Sequence, residues 1–178
     1  DARDTFYGGS YYGQVLKVVV PEMKAADPDA QVLGGGLMID CDPLSPVYDS
    51  KGQLKSCSQA RFLEGALQEG VGDVVDGISF HAYDYYAQEL GQYSNPNWNI
   101  DWRTGGPSFI PKISYLRGLL TAAGFPEMPL YLTELAVICG VDGNEDYCRT
   151  TAFEQTKAIH LARSLVVAKA EGLRAVLW

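Results

Sequence analysis

The chain has 178 residues, 47% apolar and 20% charged, and its 14 basic residues are outnumbered by 22 acidic ones for a formal net charge of −8. That length carries one domain with a hydrophobic core, and no run approaches the roughly 20 apolar residues that cross a bilayer. Scattered basic residues exclude a phosphate-tracking surface, so nucleic acid and membranes are not expected partners, whereas a neutral ligand such as a sugar is compatible.

In chain order, residues 11–26 are predicted as a helix, with Tyr12, Val15, Leu16, Val19 and Met23 on one stripe and Pro21 marking a kink or short break. A short apolar segment, 31–37, and a polar loop, 38–57, follow. Ser58 is expected to cap a helix at 59–69 that turns Phe62, Leu63, Ala66 and Leu67 inward. The run GISFHAYDYY predicts a strand at 77–83, and a loop rich in Asn, Gly, Pro and aromatics then reaches 108. A helix at 109–123 is expected to bury Ile113, Leu116 and Leu120, and MPLYLTELAV predicts a strand at 128–137. After a loop at 138–149, Thr151 and Glu154 read as a capping box. Its helix, reaching about 170, is expected to bury Ile159, Ala162, Leu165 and Val166, and LRAVLW at 173–178 is a final strand.

Alternating strands and helices at this spacing predict parallel βαβ units, in a barrel or a doubly wound sheet; no repeat supports a solenoid. Four strands do not close a barrel, so the chain is expected to be a fragment lacking N-terminal strands.

The cysteines fall into two local pairs, each bracketing a turn-rich segment and neither with C-x-x-C spacing. Bridges Cys41–Cys57 and Cys139–Cys148 are expected, and with them a secreted, oxidising setting.

Glu134 is the first candidate for chemistry. A carboxylate near the end of the apolar strand LYLTELAV is costly to bury without partners. Strict alternation puts Leu130, Leu132 and Glu134 on one face, and Tyr131 and Thr133 on the other. On the neighbouring strand Ser79, His81 and Tyr83 share one face, and Ile78 and Phe80 the other. Tyr83 is placed to donate its hydroxyl to a carboxylate on the next strand, keeping it ionised and oriented. Trp178, Trp98 and Trp102, with Tyr85 and Tyr93, are candidate sugar-stacking faces. Gly34, Gly35 and Gly36 make room near a ligand rather than bind a dinucleotide. Two histidines, one of them mid-helix, argue against a metal site, and no motif calls for a cofactor.

Taken together, these segments resemble clan A glycoside hydrolases, the retaining (β/α)8-barrel enzymes that include cellulases, β-mannanases and β-xylosidases. PEMKAADPDAQVLGGGL resembles the helix entering the fifth strand, and GISFHAYDYY the sixth strand with its His-x-Tyr pair. PLYLTELAV resembles the seventh strand with its nucleophile, and LRAVLW the eighth with its active-site Trp. The resemblance implies an α/β fold in which residues 1–178 form the C-terminal half of a TIM barrel, from the helix after strand four through strand eight. It implies action on β-linked glycosides or plant-type polysaccharides. Glu134 would be the nucleophile, Tyr83 its hydrogen-bond donor, His81 the subsite lining and Trp178 the stacking face. The acid/base Glu would lie upstream of Asp1, so the partner would be the N-terminal half of the barrel or a second copy of the chain. Two alternatives stand beside this: an enzyme pairing Asp84 or Asp101 with Glu134, and a non-catalytic carbohydrate-binding or interaction fragment.

Overall fold

Glycine decides how the first helix lies. In α1 (Gly9–Ala26) the buried positions are Gly9, Gly13 and Val20. A Cβ on Gly9 would stand 1.9 Å from the carbonyl oxygen of Phe62, and one on Gly13 would stand 3.0 Å from that of Ala66. Both carbonyls belong to α2 (Phe62–Gln68), so the helices meet backbone to backbone. The expected stripe is corrected accordingly: Tyr12 and Leu16 pack against the core, but Val15, Val19 and Met23 are exposed, because the seam selects residues small enough for close approach. The helix runs unbroken through Pro21.

The computed structural model describes residues 5–49, 51–101, 103, 105–139 and 145–178. Its fold is mixed α/β, with an open sheet that includes parallel strands. In chain order the strands are β1 (Leu33–Leu37), β2 (Gly77–Tyr86), β3 (Tyr93–Asn95), β4 (Ile100–Asp101), β5 (Leu130–Ile138) and β6 (Ala175–Val176). β1, β2, β5 and β6 run parallel, each paired with the next of the four. β3 and β4 form an antiparallel ribbon on the far end of β2, where Tyr85 pairs with Ser94 and Tyr86 with Tyr93. The sequence reading took this stretch as plain loop, since neither short strand has enough residues for an alternation to register.

One face of the parallel strands carries Ile78, Phe80, Ala82, Leu130, Leu132 and Leu135, all buried. Against them pack Leu63, Ala66 and Leu67 of α2 and Ile113, Leu116 and Leu120 of α3 (Phe109–Ala122). Leu116 and Leu120 are each fully buried, worth about 1.5–3 kcal/mol apiece.

The last helix, α4 (Thr151–Ala170), departs from its apolar pattern. It buries Phe153, Thr156, His160, Ser164 and Ala168 and leaves Ala162, Leu165 and Val166 exposed, Val166 at 71%. The reason is Asp84, fully buried on the helix side of β2, whose carboxylate needs donors. His160 Nε2 lies 2.8 Å from it, so the helix turns its polar stripe inward. Its cap is Thr150 rather than Thr151: the Thr150 hydroxyl accepts from Phe153 N at 3.3 Å. Ser58 likewise opens a 3-10 turn, Ser58–Arg61, and makes no capping bond to α2.

Both expected disulfides form. Cys41–Cys57 staples the loop after β1 and Cys139–Cys148 the loop after β5, each with Cα atoms 5.6 Å apart.

The α1–α2 seam gives a paired test. Gly9→Ala drives a methyl group into backbone and should lower stability by about 1–3 kcal/mol in urea unfolding. Gly118→Ala, in α3 with no neighbour within 4 Å of the added Cβ, should raise stability by up to about 1 kcal/mol.

Candidate active site

The register of β5 against β2 sets where its carboxylate points. Leu130 pairs with Ile78 and Leu132 with Phe80, all facing the helices. Strict alternation would next send Glu134 to the same side. Instead His81 pairs with Glu134, and Thr133 is left over as a β-bulge. The extra residue resets the parity, returning Leu135 and Val137 to the buried side. The expectation that Glu134 shares a face with Leu130 and Leu132 is therefore corrected: it faces the same way as His81 and Tyr83.

The three side chains meet there. The Tyr83 hydroxyl donates to Glu134 Oε2, and His81 Nδ1 lies 3.5 Å from the same oxygen, too far for a well-formed hydrogen bond. The His81 and Tyr83 rings stand edge to face, 6.5 Å between centroids. The Glu134 side chain is 54% exposed, so the carboxylate is held and still reachable. Burial, and then the Glu134 carboxylate it bonds, push the Tyr83 hydroxyl up to about 12, so it acts as a donor at any physiological pH.

The backbone beneath is fixed from several sides. Asn95 Nδ2 donates to Tyr83 O at 2.7 Å, and Ser108 Oγ to the same oxygen at 3.4 Å. Ser108 N donates to both oxygens of Asp84 at 3.2 Å. Lys112 of α3 is 3% exposed, and its Nζ donates to His81 O at 2.9 Å and Met38 O at 3.1 Å, bridging the end of β1 and the middle of β2. Burial pulls this ammonium down to about 8, against the pull of Asp84 and Asp40. Across from His81 lies bare backbone: a Cβ on Gly36, where φ is +76°, would stand 3.8 Å from His81 Nε2.

The aromatic candidates scatter. Trp98 is 3% exposed; its indole N–H donates to Ile39 O at 2.9 Å and its ring packs on Tyr115. It is a core residue with no free face for a sugar, which corrects its assignment to substrate binding. Trp178, half exposed, has its ring 5.9 Å from that of His160, beside the helix-side polar cluster rather than the Glu134 triad. Tyr93 is buried, and Trp102 lies outside the described residues. Asp84 is excluded as a second reacting carboxylate by its complete burial and its bonds to Ser108 and His160. Asp101 is tied to the guanidinium of Arg103 at 3.1 Å.

Two contributors escaped the sequence reading, Lys112 and Asp40. The first had a signal: Lys112, Leu116 and Leu120 repeat every four residues, so a charge sits on an inward stripe. Asp40, an exposed loop aspartate, had none.

Two titrations follow. The Tyr83 hydroxyl should ionise near 12 in an NMR titration; in Glu134→Gln it should fall yet stay above the ordinary 10.0, because burial is the larger cause. For Lys112 the unfolded chain holds the proton more tightly than the fold does. Folding therefore releases it between about 8 and 10.5, and the contribution of Lys112 to stability should rise with pH across that window. Urea midpoints of wild type and Lys112→Met should diverge in wild type's favour over that interval.

Comparison with protein-family models and with curated proteins finds no match for this chain.

Proposed function

We propose that the chain carries the nucleophile half of the active site of a retaining glycoside hydrolase, with Glu134 as the nucleophile. The observation that carries the reading is the reachable Glu134 carboxylate, one oxygen held by the Tyr83 hydroxyl and His81 beside it. A nucleophilic carboxylate needs to be oriented and open at once. In the first step a Glu134 oxygen bonds to the anomeric carbon as the bond to the leaving oxygen breaks, and a general acid protonates that oxygen. In the second, water replaces Glu134 and gives its proton to the same acid/base group. That group is a second carboxyl about 5–5.5 Å away in retaining enzymes.

The barrel reading has support of its own. Each parallel strand pairs with the next in chain order, without the reversal that defines a doubly wound sheet. The outermost helices, α1 and α4, expose Val15, Val18, Val19 and Met23 and Leu165 and Val166, the side chains that neighbouring barrel helices would cover. The two disulfides suit a secreted protein. β-Linked glycosides are the proposed substrates.

A 2-deoxy-2-fluoro-β-glycosyl fluoride tests the nucleophile directly, because fluoride leaves without help from a general acid. The expected result is a covalent adduct on the peptide containing Glu134, seen by mass spectrometry and absent in Glu134→Gln. Tyr83→Phe should slow labelling by about a hundredfold. No adduct, or one on another carboxylate, would remove Glu134 from the mechanism and favour a non-catalytic sugar-binding role.

A further inference from the structure

A small cavity of about 30 Å³ lies beside the Glu134 triad, lined by Met38, Asp40, Tyr83, Tyr85, Asn95 and Lys112. It shares Tyr83 with the triad, and its volume admits one water-sized group. An ammonium has three donors. Two of those on Lys112 go to the carbonyls of His81 and Met38, and the side chain is almost wholly buried where it lines this cavity. The wall also includes Asp40, an exposed carboxylate with nothing but acceptor capacity. Asn95 donates to Tyr83 O and accepts from Asn97 N, which fixes its amide in the wall. Tyr85, 39% exposed, also lines the cavity. The cavity thus has a donor group lining its buried side and an acceptor group lining its exposed side.

From this we infer that the cavity is a subsite for a single sugar hydroxyl, which accepts from Lys112 Nζ and donates to the Asp40 carboxylate while the ring beyond it rests on Tyr85. The inference builds on the glycosidase reading and extends it, because it fixes the direction in which a bound sugar leaves Glu134: past Tyr83, toward the loops after β1 and β2. It also gives Lys112 a role besides clamping two carbonyls. The charge of Asp40 is already felt at Lys112, where it opposes the downward pull of burial on the ammonium. A hydrogen in place of the hydroxyl would strand both the donor and the acceptor, so the subsite selects polyols over deoxy analogues.

The test is a titration of the 178-residue chain with cellobiose, up to about 100 mM, followed by amide NMR. Expected are shifts at Asp40, Tyr85 and Asn95 together with those at Tyr83 and Glu134, and an affinity at least about fivefold weaker in Asp40→Asn. Glu134→Gln should keep the shifts at Asp40 and Tyr85, which separates this subsite from the nucleophile. Shifts confined to His81, Tyr83 and Glu134, or unchanged affinity in Asp40→Asn, would mean the cavity holds only a structural water. That outcome overturns the subsite and leaves the glycosidase reading standing. No shift at any residue would overturn both.

Discussion

Thr133 has no partner in the β2–β5 ladder, and the orientation of Glu134 depends on that single extra residue. Without it the carboxylate would point at Leu116 and its neighbours, where an unpaired charge costs several kcal/mol. With it, Leu130 and Leu132 before the bulge and Leu135 and Val137 after it all stay buried, while Glu134 turns toward His81 and Tyr83. Bulges are rare between parallel strands and recur beside active sites, where they re-aim a side chain. β1 repeats the device: its register shifts between Gly35 and Leu37, and the glycine in the gap, Gly36, faces His81. Two bulges, in the strands on either side of β2, therefore shape one small region.

The polar groups buried behind that region are costly, and Asp84, Thr156 and Lys112 are each held by hydrogen bonds. Asp84 receives Ser108 N on both oxygens and His160 Nε2 on one. Thr156 accepts from Gly91 N at 2.8 Å and donates to Ala152 O, so the same face of α4 also holds the loop after β2. Lys112 does the equivalent from α3. Together these contacts tie two helices, the β3–β4 ribbon and the end of β1 to the middle of β2, where His81 and Tyr83 lie. Breaking one partner of such a set typically costs 3–5 kcal/mol, because the other is left charged and dry. The outward-facing cluster thus stands on a rigid base while its own carboxylate remains in reach of solvent.

The sequence disclosed the order of the large elements, the two cysteine pairs and the face shared by Ser79, His81 and Tyr83, because each rests on local periodicity or spacing. It disclosed Glu134 as a residue but not its orientation, since a bulge leaves no mark on the alternation of LYLTELAVI until the partner strand is known. The helix faces failed for a different reason. In α4 a buried aspartate from β2 outweighed the apolar stripe, and in α1 the glycines allowed an approach that the larger Val15 and Val19 would block. Trp98 misled because a loop tryptophan reads the same whether it lies on the surface or, as here, fills the space over Tyr115. Lys112 and Asp40 belong to the site only through contacts between distant parts of the chain, such as Lys112 to Met38 across 74 positions and Lys112 to His81 across 31, and no window of sequence contains those.

The bulge is the claim on which the active-site reading turns, and interstrand NOEs in the folded chain measure it directly. Cross-strand contacts should pair Phe80 with Leu132 and His81 with Glu134, leaving Thr133 without a partner on β2. A continuous ladder, with His81 opposite Thr133 and Ala82 opposite Glu134, would turn the carboxylate toward the helices and contradict the account.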